Sequence, residues 1–174
     1  NDGEIQEIKR FSNKVINDGK NVSFFQPYWI SNNLLVCSED STGWWNLCFI
    51  EVTDIKNILL KKRIIKSLTE YGSPQWVSGI SFFSGTIKNL FCLAKKQNSW
   101  FLEHYQNLSC IKKIKLPFSS ISDLSVCDKK LVIKANSTSC FDYLFECDFE
   151  EKTYANFSKD ISFESINQYS KPES

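Results

Sequence analysis

The fold turns on the apolar run Leu34-Leu35-Val36-Cys37, the Trp45-Asn46-Leu47 that follows it, and the basic segment Lys61-Lys62-Arg63-Ile64. Each part recurs. The apolar run returns at Leu90-Phe91-Cys92-Leu93 and again at Leu131-Val132-Ile133. Trp45-Asn46-Leu47 is echoed by Trp100-Phe101-Leu102, and more loosely by Phe141-Asp142-Tyr143-Leu144. The basic-apolar segment appears first as Ile8-Lys9-Arg10-Phe11 and later as Ile111-Lys112-Lys113-Ile114. Ahead of the apolar run, Gln26-Pro27-Tyr28-Trp29 has an echo in Ser73-Pro74-Gln75-Trp76. The period is about fifty residues, and four short strands per unit at that period predict the blades of a β-propeller.

The physical chemistry of each part agrees. Strands covered on both faces by neighbouring sheets read as continuous apolar runs. The outermost strand of a blade is an exposed edge, and lysines there discourage edge-to-edge association. Turn residues punctuate the segments, as at Asn17-Asp18-Gly19, Ser31-Asn32-Asn33, Ser41-Thr42-Gly43 and Cys127-Asp128-Lys129. One stretch competes with this reading. In Ile58 to Tyr71, the residues Leu60, Ile64, Leu68 and Tyr71 fall on one helical face. The repeat decides for strand. The expected fold class is all-β: a partial β-propeller of about three four-stranded antiparallel blades at residues 16–66, 67–117 and 118–160. Residues 1–15 are expected to be the outer strand of a preceding blade, and 161–174 an exit linker. Three blades do not close a ring, since closed propellers have about four to eight.

Composition narrows the function. The chain has 174 residues, 42% of them hydrophobic and 14% aromatic, enough for a real core rather than a disordered tail. Lys+Arg of 21 against Asp+Glu of 20 leaves a net charge of +1. So balanced a chain argues against phosphate-driven nucleic-acid binding. No apolar stretch is long enough to span a membrane as a helix. No signal-peptide pattern opens the sequence, and there is no Met at any position, which predicts a processed chain or an excised piece. The seven cysteines are odd in number, sit mostly in apolar runs and form no C-x-x-C pair. They predict reduced, buried thiols in a cytoplasmic protein rather than a zinc or thioredoxin-type site. Four N-x-[ST] sequons, at Asn21, Asn107, Asn136 and Asn156, are near what composition alone gives.

The order of the segments resembles the β-propeller domain of the prolyl oligopeptidase family of serine peptidases. The branch it looks closest to is the dipeptidyl aminopeptidase/acylaminoacyl-peptidase-like one. The residues that carry the resemblance are Phe25-Gln26-Pro27-Tyr28-Trp29, the run Ser38-Glu39-Asp40-Ser41-Thr42-Gly43-Trp44-Trp45-Asn46-Leu47, Tyr71-Gly72-Ser73-Pro74-Gln75-Trp76-Val77, and Leu116-Pro117-Phe118-Ser119-Ser120-Ile121-Ser122. They occur in order across residues 20–172. The family's usual blade turn, Trp-Ser-Pro-Asp-Gly, is replaced by Trp29-Ile30-Ser31-Asn32-Asn33 and by Trp76-Val77-Ser78-Gly79. The resemblance implies a cover that restricts access to a Ser-Asp-His triad on an α/β-hydrolase domain in cis, missing from this chain. The linker ending Lys171-Pro172-Glu173-Ser174 would lead into that domain.

The chain itself shows no catalytic constellation. A nucleophile elbow needs G-x-S-x-G, and Gly79-Ile80-Ser81-Phe82-Phe83-Ser84-Gly85 has the wrong spacing. The single histidine, His104, lies in Trp100-Phe101-Leu102-Glu103-His104-Tyr105 and reads as a structural or solvent-facing strand residue. Adjacent Trp44 and Trp45 point to opposite faces of a strand, so they do not form one stacking platform. The expectation is that Trp45 packs between blades and Trp44 nearer a loop. Glu39 and Asp40 read as turn residues rather than an acid/base pair. Lys61-Lys62-Arg63 reads as an exposed edge rather than an anion patch. No catalytic, metal or cofactor site is expected, and no binding residue is assigned.

Two functions follow. The first is the non-catalytic propeller portion of a serine peptidase or esterase, guiding a peptide substrate to the hydrolase domain. The second is a stand-alone propeller-type interaction module, completing a six-bladed ring as a homodimer. A sugar- or metal-binding enzyme needs clustered carboxylates or histidines, which the sequence lacks. Neither nucleic acid nor membrane is an expected partner.

Overall fold

The computed structural model describes residues 22–54, 57–73, 76–137 and 140–148. Its described elements are all strands, in three antiparallel sheets. The first sheet runs in simple order through β1 (Phe24–Trp29), β2 (Leu34–Glu39), β3 (Asn46–Asp54) and β4 (Asn57–Ile64). In the second, β7 (Asn89–Lys96), β8 (Ser99–Gln106) and β9 (Ser109–Leu116) follow one another. The free side of β7 is shared by β5 (Thr69–Glu70) and β6 (Phe83–Thr86). The third sheet contains β10 (Ser120–Cys127), β11 (Lys130–Ser137) and β12 (Cys140–Asp148). The part of the third blade, expected at 118–160, that follows Asp148 lies outside the described residues, as do residues 1–15 and 161–174.

The apolar runs form the middle of each described sheet, and Leu90-Phe91-Cys92-Leu93 is buried on both faces. Val36, Leu90, Phe91, Cys92, Leu93, Leu131 and Ile133 are all buried, in one core that spans the three sheets. Each such side chain contributes about 1.5–3 kcal/mol by leaving water. The opposite face of the first sheet buries a second, smaller cluster around Cys37, Cys48 and Ile50. The basic segments form the edges, as expected: Lys61-Lys62-Arg63 lies on β4 and Lys112-Lys113 on β9. The stretch from Ile58 that fits a helical face is strand through Ile64, with a short β5 beyond it.

The repeat holds in register. Cys37 opposite Cys48 in the first sheet matches Cys92 opposite Glu103 in the second. One echo does not hold. Trp29 ends β1 and leads into the Ile30–Asn33 turn, whereas Trp76 sits in an excursion before β6. The chain leaves β7 after Glu70, which is opposite Lys95, and rejoins it at Phe83, opposite Cys92. The innermost strand of the second sheet is thus interrupted by residues 71–82. Its hairpin turn is supplied further on, between Thr86 and Asn89. There Gly85 has φ +124°, and a Cβ would meet the Asn89 carbonyl oxygen at 2.1 Å, so only glycine fits.

Strand β6 lies beside both β1 and β10, so the innermost strands of the three sheets are neighbours. Side chains and backbone tie them together. Gln26 Nε2 donates to Ser81 Oγ at 3.1 Å and its Oε1 accepts from the Phe82 amide at 2.7 Å. The Val126 amide donates to Ser84 Oγ at 3.0 Å, joining the second sheet to the third.

Candidate functional site

Antiparallel order brings the connections after β2, β4, β7 and β9 to one end of the three sheets. The segments there are Asp40–Trp45, Ile65–Leu68, Gln97-Asn98 and Pro117–Ser119, and the excursion after β5 leaves the innermost strand near the same end. Two polar regions are built near that end, and they differ in kind.

The first is the junction of the first and second sheets. Strand alternation puts Phe101, Glu103 and Tyr105 of β8 on one face. The Glu103 carboxylate is fully buried there. Lys66 Nζ reaches its two oxygens at 2.9 and 2.8 Å, and Lys113 Nζ lies 3.0 Å from Oε1. Tyr71 and Tyr105 donate to Oε2 at 2.6 and 2.7 Å. Burial alone would raise the carboxyl, but these hydrogen bonds and the Lys66 charge outweigh it and hold Glu103 at about 2. Burial beside that anion pushes both phenols well above their usual range. Lys66 comes from the β4–β5 connection, Tyr71 from just beyond β5, and Glu103, Tyr105 and Lys113 from β8 and β9, so the carboxylate pins the segment that joins the first two sheets onto the second.

The second region is a half-open cavity of about 500 Å³ touching all three sheets. Its aromatic walls are Trp45, Phe82 and Trp100, with Ile80 from the excursion and Ser120 and Ser122 from the third sheet. Glu70 and Lys95 are its charged groups. Glu70 Oε2 accepts the Trp45 amide at 2.6 Å. Burial raises the Glu70 carboxyl above the usual range, against lowering by that hydrogen bond and by Lys95. Gly72 lets the chain pass Trp45: a Cβ there would lie 3.0 Å from the indole Cγ. Trp76 and Val77 stand on the same excursion, 85% and 47% exposed.

Trp45 packs between the sheets, 5.9 Å from Phe25 by ring centroids, while the Trp44 carbonyl is bound locally by Asn46 at 2.9 Å. Asp40 is a turn residue, its carbonyl taking the Gly43 amide at 2.8 Å. Glu39 is more than that. It is fully buried and forms a two-pronged pair with Arg63, whose Nε and Nη2 donate to Oε1 at 3.1 and 2.8 Å. Ser41 Oγ also accepts from Arg63. The edge reading therefore fits Lys61 and Lys62 better than Arg63, which folds back over its own sheet. Lys62 donates to the Leu108 carbonyl at 2.6 Å and so bridges the two outer edges. His104 is 8% exposed, stacks on Phe91 at 4.2 Å and meets Asn89 Oδ1 at 3.0 Å. Burial, with Lys112 nearby, pushes its pKa down, which favours the neutral ring. Among the described residues no group of three His, Cys, Asp or Glu is placed to hold a metal ion.

Sequence reading missed the Glu103 junction and the Glu70 cavity. Glu103 carried a usable signal: a carboxylate between Leu102 and His104, sharing a strand face with Phe101 and Tyr105, demands partners if that face is covered. Which partners would come was not readable, since Lys66 reaches it from the β4–β5 connection and Tyr71 from just beyond β5, both distant from Glu103 along the chain.

Comparison with known proteins supplies the fold's relatives. The structure is similar to a puromycin-hydrolyzing peptidase of Mycobacterium tuberculosis, with TM-score 0.58 and 18% identity over 73% of this chain and 19% of that one. It is similar to puromycin hydrolase, with TM-score 0.60 and 19% identity over 75% of this chain and 19% of that chain. A mutant puromycin hydrolase complexed with PGG gives TM-score 0.61 and 19% identity, over 76% and 20% of the two chains. This chain thus spans about a fifth of the length of the solved proteins it matches. No protein-family model matches the sequence, and no curated protein matches it. At this identity the likeness establishes the fold: a partial propeller, its sheets not closed into a ring, of the kind found in these peptidases.

Proposed function

We propose that this chain is the non-catalytic propeller portion of a serine peptidase or esterase. It restricts and guides access of a peptide substrate to an α/β-hydrolase domain in cis. The observation that carries the reading is the match of three successive sheets to about a fifth of puromycin-hydrolysing peptidases. The ordered motifs from Phe25 to Ser122 support it, and so does the resemblance to the dipeptidyl aminopeptidase/acylaminoacyl-peptidase-like branch. Of the described cysteines, Cys37, Cys48 and Cys92 are free and buried as expected, whereas Cys110 and Cys127 are free but exposed; free thiols fit a cytoplasmic setting. No helix among the described residues is long and apolar enough to cross a membrane.

The test is direct. An antibody against this chain is used to isolate the native protein, which is then treated with a serine-directed covalent probe. Labelling of a polypeptide several times larger than 20.2 kDa is the expected result. An unlabelled band near 20 kDa would sink the proposal and favour the stand-alone module, whose homodimer light scattering would reveal.

A further inference from the structure

The two carboxylates buried among the described residues are both matched with cations, and partly buried Glu70 contrasts with them. Glu39 has Arg63 at 2.8 Å, and Glu103 has Lys66 and Lys113 at 2.8 and 3.0 Å. Glu70 has none. It stands directly opposite Lys95 across β5 and β7, where an ion pair is expected. Yet Lys95 Nζ lies over the Trp100 ring, 5.6 Å from its centroid, and makes no ion pair with Glu70. One Glu70 oxygen takes the Trp45 amide, and Oε1 accepts no hydrogen bond among the described residues. A cation seated at Oε1 would meet this partly buried charge more strongly than solvent does, because it would exclude water from the site.

The surroundings say what would meet it. Glu70 lines a cavity of about 500 Å³, a volume suited to a small organic group. Next to it are the indoles of Trp45 and Trp100 and the Phe82 ring. Aromatic faces attract cations and pack against flat or apolar bodies. The indole of Trp100 already holds one ammonium, that of Lys95. The Trp45 indole is fixed by its contact with Gly72 and by Phe25. The walls are therefore set in place, and Glu70 Oε1 is the carboxylate oxygen that accepts no hydrogen bond among the described residues.

We infer that this cavity binds a ligand bearing one ammonium or guanidinium on an apolar body, the cation at Glu70 Oε1 and the body between Trp45 and Phe82. The cation is carried by a free amine or by a lysine or arginine side chain of a peptide. The inference rests on the cavity alone, so it stands or falls separately from the proposed role in a peptidase.

The test uses the full chain and two probe pairs, followed by tryptophan fluorescence and calorimetry. The first pair is 2-phenylethylamine, protonated at neutral pH, and its uncharged analogue 2-phenylethanol. The second is acetyl-Phe-Lys-amide and acetyl-Phe-norleucine-amide. The cationic member should bind saturably at one site, with the neutral member about tenfold weaker or worse. Glu70→Gln, which keeps an acceptor for the Trp45 amide, should weaken the cation about tenfold and leave the neutral probe unchanged. Lys95→Gln removes the competing charge and should tighten cation binding by about twofold to fivefold. Preference for the free amine assigns the small-molecule source, and preference for the peptide assigns the side-chain source. Equal binding of charged and neutral probes, no binding of either cation at millimolar concentration, or a Lys95→Gln chain that binds the cation no better would overturn the inference.

Discussion

Glu103 and Glu70 lie at neighbouring junctions of the same three sheets, yet their surroundings have opposite consequences. Glu103 is wholly buried and receives two ammoniums and two phenols, so burial that should raise its pKa is overcome. Glu70 is half-buried, receives one backbone amide, and burial prevails. The contrast teaches that burial alone does not decide the fate of a carboxylate; the number of donors aimed at it does. A satisfied carboxylate fastens a joining segment to its sheet. An unsatisfied one beside a cavity is available to a ligand.

The strongest way to break the comparison is to neutralise Glu103. Glu103→Gln leaves Lys66, Lys113 and two phenols facing an amide. Breaking a buried ion pair costs about 3–5 kcal/mol, and the lower end is expected because both lysines are partly exposed and can turn to water. Urea unfolding measures it; a loss under about 1 kcal/mol would show that the junction is not a fastener. The pH dependence sharpens the same point. The folded carboxyl titrates at about 2, below the ordinary glutamate value near ~4.3 in the unfolded chain. Its stabilisation is therefore complete above the unfolded value and is lost as pH falls from about 4.3 towards 2. Glu103→Gln should remove that acid-side loss.

Gly72→Ala comes next. The new Cβ would press on the Trp45 Cγ at 3.0 Å and move an indole that lines the cavity. A cost of about 1 kcal/mol is expected, with a shifted tryptophan emission maximum. Unchanged emission would mean that Trp45 is not held as described.

Glu70→Gln should act with the opposite sign to Glu103→Gln. A carboxyl whose folded pKa is raised destabilises the fold while ionised, and stability rises as pH falls through that folded value. At neutral pH the substitution should be neutral or stabilising by under about 1 kcal/mol, and it should flatten that slope. A large loss in urea unfolding would place Glu70 with Glu103 and dissolve the contrast. The smallest effect is expected at Trp76, which is 85% exposed on the excursion beside the cavity. Trp76→Ser should change stability by no more than about 0.5 kcal/mol.

Much of the architecture was legible in the sequence because strand burial leaves a local mark. Leu90-Phe91-Cys92-Leu93 announced a strand covered on both sides, and Ile111-Lys112-Lys113-Ile114 an edge. Trp45 and Trp100 marked the same point of successive sheets. The echo of Gln26-Pro27-Tyr28-Trp29 in Ser73-Pro74-Gln75-Trp76 misled, since composition recurs there while strand pairing does not. The break in β7's partner strand depends on where the chain rejoins the ladder, and no local pattern reports that. The two carboxylate environments were illegible for the same reason. Lys66 reaches Glu103 from outside β8, and whether Lys95 chooses Glu70 or Trp100 depends on side-chain positions set by packing.

Carboxyl-carbon NMR of the intact chain, titrated from neutral to acid pH, follows Glu103 and Glu70 in one experiment. The account predicts that Glu103 stays ionised down to about 2 while Glu70 takes up its proton above the ordinary glutamate range. Two carboxyls titrating together near ~4.3 would contradict it.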